Sequence, residues 1–169
     1  MKFVQAKEEQ LPEIINLYDN VVQVMNENGI DQWGEDYPNP DVLKRDLEEG
    51  NLYLLKKDGK IAGAVVLNKE YEPEYKQIPW QDRSGNFLVV HRLCINPSFQ
   101  GQGISKILLD EIEEFAKTHG YSSIRLDTYI PNEKAMNLYE GQGYERRGKF
   151  YFPTHQEPFM AFEKELIHS

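Results

Sequence analysis

The stretch HRLCINPSFQGQGISKILLDEI, His91 to Ile112, opens as an apolar strand and breaks at Pro97. It then crosses a turn holding Gly101 and Gly103 and resumes with apolar residues at helical spacing. A glycine turn between a strand and a helix is a natural site for an anion. The first backbone N–H groups of a helix point outward without a helical partner, and the macrodipole adds roughly half a positive charge. Gly101 and Gly103 also remove side chains that would block close approach, so the turn can fold around a phosphate. Two glycines alone favour a plain sharp turn, so the rest of the chain must name the anion.

Outward from this stretch, short strands alternate with amphipathic helices. KFVQAK reads as a first strand, and Leu11, Ile14, Ile15, Tyr18, Val21, Val22 and Met25 then form one helical face that stops at Asn28-Gly29. Asp41 is placed to cap a short helix running to Glu49. NLYLLKKDGKIAGAVVLN predicts two strands joined at Asp58-Gly59, a common hairpin turn. KEYEPEYKQIPWQDRSGN is rich in prolines and polar residues and predicts a surface loop. The strand FLVVHRLCI follows. After the turn, Ile104, Ile107, Leu108, Ile112, Phe115 and Ala116 line one helix face up to a stop at Gly120. SSIRLDTYI predicts another strand, Asn132 caps a short helix, and GYERRGKFYFPTHQEPFMAFEKEL supplies two final strands. The expected order is β-α-α-β-β-β-α-β-α-β-β in one mixed α/β domain over residues 1–169.

Composition excludes several classes. Nineteen basic against twenty-eight acidic residues give a net charge of −9, which argues against nonspecific nucleic-acid binding by phosphate neutralisation. The single cysteine, Cys94, excludes an intrachain disulfide and a Cys-rich metal site, and its place in an apolar strand predicts a buried structural thiol. No apolar run reaches the ~18 residues of a membrane span, and MKFVQAKEEQ lacks a signal-peptide core. No metal, no membrane and a cytoplasmic setting are the expectations.

Two nucleotide-binding readings of the glycine turn fail on spacing. A P-loop needs four residues between its first glycine and a Gly-Lys pair, which this turn lacks. A dinucleotide fingerprint needs a third glycine where Lys106 stands. Asp127 does end the next strand, where a ribose-binding acid would sit, but about ninety residues precede the turn and too few β-α units follow it.

INPSFQGQGISKILL instead resembles the acyl-CoA-binding motif of the GNAT superfamily of N-acyltransferases: Gln or Arg, two residues, Gly, one residue, then Gly or Ala. Gln100, Gly103 and Ser105 occupy those positions, Ser105 departing from the usual Gly or Ala. IPNEKAMNLYEGQGYERRG resembles a second element of the family, with Asn132, Ala135, Tyr139, Gly143 and Tyr144 at the matching positions. The close resemblance spans Leu88 to Gly148.

The resemblance implies a GNAT-type fold with a mixed central sheet of about seven strands flanked by about four helices. It implies acetyl-CoA as cosubstrate, its diphosphate held by the backbone of Gln100, Gly101, Gln102, Gly103, Ile104, Ser105 and Lys106. The pantetheine arm would pair with the main chain of Leu93, Cys94 and Ile95 as an added strand, with a backbone N–H there facing the thioester carbonyl. Tyr139 matches the position whose hydroxyl protonates the departing sulfur. Asp127 matches a carboxylate that takes the amine proton in some relatives, and His91 and an ordered water are alternatives for that base. Asn132 would contact the cofactor arm, cap its helix, or do both. The implied reaction is acetyl transfer to a primary amine of a small molecule or peptide by direct attack in a ternary complex. A noncatalytic acyl-CoA sensor or scaffold is the alternative, and homodimers are common in the family. Trp33, Glu35, Asp36, Tyr37 and Trp80 are candidates for an aromatic and acidic acceptor wall, with ordinary loop packing as the competing reading.

Overall fold

The computed structural model describes residues 1–166 of the chain. Its elements are β1 (Lys2–Gln5), α1 (Leu11–Glu27), α2 (Pro40–Glu48), β2 (Leu52–Lys57), β3 (Lys60–Asn68), β4 (Phe87–Ile95), α3 (Ile104–Thr118), β5 (Ser123–Tyr129), α4 (Glu133–Gly141), β6 (Glu145–Phe150) and β7 (Phe159–Glu165). This is the order expected from the sequence. The strands form one seven-stranded sheet in the order β1-β2-β3-β4-β5-β7-β6. β4 and β5 run parallel, while β1, β2 and β3 pair antiparallel in sequence and β7 pairs antiparallel with both β5 and β6. A mixed seven-stranded sheet with four helices is therefore present. Among the described residues no helix is long and apolar enough to cross a membrane.

The chain separates into two compact units, Met1–Leu67 with His91–Leu108, and Asn68–Val90 with Leu109–Ser169. In the first, the stripe of α1 meets the alternating faces of β2 and β3. Ile14, Leu17, Tyr18, Trp33, Leu43, Leu52, Leu54, Ile61, Ala64, Val66 and Cys94 form its buried cluster. Helix α1 closes at Asn28, and Gly29 follows with φ 76°, a left-handed exit that glycine adopts without steric cost. Asn39, not Asp41, caps α2, its side chain accepting the Val42 N–H at 2.9 Å. The reason is Pro40: proline favours the first helical position, so the residue before it becomes the cap. At Gly63 on β3, a Cβ would lie 3.0 Å from the Cys94 carbonyl and 3.2 Å from Leu108, so the absent side chain lets β3 pack closely against β4.

The second unit is built on β5, β7 and β6. Glu163 of β7 is fully buried yet satisfied: it accepts from Arg147 at 2.6 Å and from the backbone N–H groups of Gln81 and Asp82 at 2.8 and 3.1 Å. A buried carboxylate is tolerated only with such partners. These bonds anchor the segment between β3 and β4, where the sequence predicts a surface loop. The structure corrects that expectation. Pro73–Gln77 form a 3-10 turn, and Tyr75 and Ile78 are buried. The Arg125 guanidinium lies over the rings of both Trp80 and Phe87, at 4.4 and 3.8 Å to their centroids. Aromatic rings, rather than regular backbone, give this segment its place.

Candidate active site

In the first unit, the glycine turn is assembled by local bonds. The Asn96 backbone donates to Ala62 O and its side chain to Ile61 O, both at 2.8 Å, while its side-chain oxygen accepts the Ser98 N–H. A 3-10 turn at Pro97–Phe99 follows, and Gly101 and Gly103 then adopt φ 78° and 72°. Nothing lies within 4 Å of a Cβ added at either glycine. Glycine is needed there for its backbone conformation, and the space above the turn stays open to a ligand. Helix α3 starts at Ile104, which is buried, while Gly101, Gln102, Gly103 and Lys106 are exposed and Ser105 is half-buried. The first-turn N–H groups of such a helix have no partner within it. The Lys57 ammonium reaches this turn as well, donating to the Gln102 side chain at 2.8 Å. Lys57 was not legible from sequence, because it sits at the end of β2, far along the chain.

Strand β4 approaches the turn with an irregularity. Arg92 has φ 50° in the middle of the strand, a conformation that non-glycine residues rarely adopt. Beyond it Cys94 is buried, while Leu93 and Ile95, and His91 just before it, are half-buried. Burial pushes the Cys94 thiol up to about 12, with a hydrogen bond from Tyr18 working against the rise. A thiol held protonated is no nucleophile at neutral pH.

In the second unit, Asp127 stands on β5 and Tyr139 on α4. The Tyr75 hydroxyl donates to Asp127 Oδ2 at 2.5 Å. Burial pushes the Asp127 carboxyl up to about 6, opposed by that hydrogen bond and aided by the Glu72 and Glu74 charges. Tyr139 packs against Tyr144 and Phe162, and its hydroxyl has no hydrogen-bond partner among the described residues. Burial, then the Asp127 charge, raises its pKa, so the phenol stays protonated. The Asn132 side chain caps α4 by accepting the Ala135 N–H at 3.2 Å. The helix ends where the Tyr144 N–H bonds the Tyr139 carbonyl past Gly143, which accounts for the Gly-aromatic pair of the second motif.

The proposed acceptor-wall residues divide between the units. Trp33 is buried beside Tyr18, their rings 5.9 Å apart. Trp80 donates to Tyr75 O and packs on Arg125, so both tryptophans serve packing. Tyr37 is exposed and accepts from Arg92 at 2.8 Å. Glu35 lines an open cleft of about 500 Å³ with Asp19, Val22, Gln23, Asn26, Glu27 and Gly34. Asp36 is exposed, its carbonyl accepting from Asn39. Among the described residues no three His, Cys, Asp or Glu side chains come together to hold a metal.

The acetyltransferase (GNAT) family matches this chain over residues 18–144. The chain belongs to that family. An uncharacterized N-acetyltransferase in the pepI 3′ region of Lactobacillus delbrueckii subsp. lactis is 28% identical over 166 residues, covering 90% of this chain and 88% of its own. Mammalian family 8 N-acetyltransferases also match, and there the chain spans between 26% and 50% of their length. In fold, the chain resembles the crystal structure of a GNAT-family acetyltransferase from Streptococcus agalactiae, with TM-score 0.87 and 24% identity over 98% of this chain and 95% of that one. It also resembles yncA, a putative acetyltransferase from Salmonella typhimurium solved with its cofactor acetyl-CoA, with TM-score 0.71 and 13% identity over 99% and 95% of the two chains.

GNAT acetyltransferases use acetyl-CoA, and the turn of this GNAT protein has the chemistry to receive it. Two left-handed glycines with open space above them, a helix N-terminus and a nearby Lys57 suit a diphosphate.

Proposed function

We propose that this GNAT protein transfers the acetyl group of acetyl-CoA to a primary amine of a small molecule or peptide, the whole chain acting as one catalytic domain. The observation that carries this reading is the pair of proton affinities in the second unit. Asp127, at about 6, is ionised near neutral pH and has gained basicity from burial, whereas Tyr139 keeps its proton. An alkylammonium must lose a proton before its nitrogen can attack, and a departing thiolate gains from a donor. Asp127 is the base for the first need, directly or through a water. Tyr139 is the acid for the second.

The two steps are linked through charge. While Asp127 is ionised it opposes loss of the Tyr139 proton. Once Asp127 holds the proton taken from the amine, that opposition disappears and Tyr139 becomes the better donor. The backbone of Gln100 through Lys106 would hold the diphosphate, and the main chain of Leu93, Cys94 and Ile95 the pantetheine arm. A backbone N–H there would face the carbonyl oxygen as negative charge grows on it. Asn132, whose side-chain oxygen caps α4, would contact the arm as well.

The decisive experiment incubates the purified protein with acetyl-CoA and a panel of a polyamine, an amino acid, an aminoglycoside and a peptide with a free amino terminus. Free-thiol release and mass spectrometry of the product are the readouts. Thiol release matched by an acetylated amine supports the reading. Calorimetric binding of acetyl-CoA without thiol release on any amine favours the sensor instead.

A further inference from the structure

The left-handed backbone of Arg92 is held from three directions. Its guanidinium donates to both carboxyl oxygens of Asp46 on α2, Nε to Oδ2 at 2.8 Å and Nη2 to Oδ1 at 2.7 Å. Its Nη1 donates to the Tyr37 hydroxyl at 2.8 Å. Its own carbonyl accepts the hydroxyl of Tyr18, from α1, at 2.6 Å. The side chains of Arg92 and Asp46 are only 11% and 2% exposed. Burial raises the Asp46 carboxyl and the Arg92 bonds oppose that rise.

Such an arrangement asks for a reason. A left-handed non-glycine residue is disfavoured, and it persists only where its surroundings over-determine it. A buried ion pair, moreover, is often no more stabilising than apolar packing of the same volume. The guanidinium is already engaged by a carboxylate and a phenol, which leaves it poorly suited to bind an acceptor's own carboxylate. What the clamp does fix is the direction of the main chain immediately after Arg92. A left-handed residue inside a strand turns the peptide planes that follow, as at a bulge. Those planes belong to Leu93, Cys94 and Ile95.

We propose that Arg92 is a positioning residue: Asp46, Tyr18 and Tyr37 lock a left-handed kink in β4 that aims the following backbone N–H at the thioester carbonyl. This rests on the reading of Leu93 to Ile95 as the strand that receives the acyl arm. Because Tyr37 belongs to the exposed loop before α2, the clamp also ties that loop to the strand.

The test uses S-ethyl-CoA, a thioether without the carbonyl oxygen, against acetyl-CoA, with both affinities measured by calorimetry. The wild type is expected to prefer acetyl-CoA by roughly fivefold, the discrimination that one neutral hydrogen bond supplies. Two double variants remove the buried ion pair together, so neither leaves a lone charge. Arg92→Ala with Asp46→Asn loses the preference, because alanine disfavours the kink. Arg92→Gly with Asp46→Asn retains more of it, because glycine adopts positive φ freely. Equal preference in the wild type and the alanine double variant overturns the clamp alone. A wild type that binds both ligands equally overturns the carbonyl contact, and one that binds neither overturns the acetyl-CoA reading. Where the alanine double variant does not fold, Tyr18→Phe carries the test: it leaves the Arg92–Asp46 pair in place and removes the hydroxyl that latches the Arg92 carbonyl, and an undiminished preference in it refutes the proposal.

Discussion

Tyr75 donates its phenolic proton to Asp127 across 52 residues of sequence, at 2.5 Å. The bond orients the carboxyl and lowers its proton affinity, while burial raises it more strongly. The product of these opposing effects is a carboxylate with a working range near neutrality. In the wild type kcat/KM is therefore expected to rise through about pH 6. Asp127→Asn should remove that limb, whereas Tyr75→Phe, by deleting the bond that lowers the pKa, should move it to higher pH. Full pH–rate profiles of the three proteins check this, and an unmoved limb in Asp127→Asn assigns the base elsewhere.

The same carboxyl has a signature in stability. Its folded pKa of about 6 lies above the usual 3.8, so between those values the native state binds more protons than the unfolded chain. Stability due to Asp127 consequently falls as pH rises through that window, and above it the full cost of a buried charge is present. Partial exposure of the residue makes roughly 3 kcal/mol an upper bound. Asp127→Asn should melt with the wild type near pH 3.5 and above it at pH 8. Urea titrations at both values measure the difference.

Tyr139→Phe removes one hydroxyl from a ring that otherwise rests on Tyr144 and Phe162. The packing survives, so acetyl-CoA affinity by calorimetry should stay within about twofold, since in the proposed mechanism the lost donor acts in the reaction and not in binding. Turnover should fall by roughly 10²-fold or more, the usual worth of a positioned acid. Retained turnover would remove Tyr139 from the mechanism.

Gly103→Ala introduces no clash, since the space around a Cβ is open, yet it forces φ 72° on a residue with a side chain. The expected loss of stability is about 1 kcal/mol. Acetyl-CoA affinity should drop by roughly tenfold as the turn relaxes. Thermal melts and calorimetry separate the two effects, and an affinity equal to wild type would argue that the turn does not hold the diphosphate.

Most of the fold could be read in advance because its signals are short-range. The stripe of α1, the Asp58-Gly59 hairpin and the glycine turn before α3 are each written within a couple of turns of chain, where side-chain spacing mirrors backbone period. Tyr139, Asp127 and Asn132 were named as candidates by the same route, from their positions in or beside a local motif. The cap of α2 was misplaced for a local reason too, since the effect of Pro40 on its predecessor outweighs the presence of an acid at position 41.

What local pattern cannot carry is who surrounds whom. Asp127 could be named as an acid from its position, but its proton affinity depends on Tyr75, which stands in a stretch with no regular period and is held inward by rings and by the buried Glu163. The left-handed Arg92 lies within an ordinary apolar strand run, and its conformation depends on Asp46 and Tyr18, 46 and 74 residues away. The order of strands and helices and the identity of the motif residues were thus determined by the sequence alone, through patterns a few residues long. The charge state of Asp127 and the direction of β4 beyond Arg92 were decided only by tertiary structure, because desolvation and long-range hydrogen bonds exist only once distant segments have met.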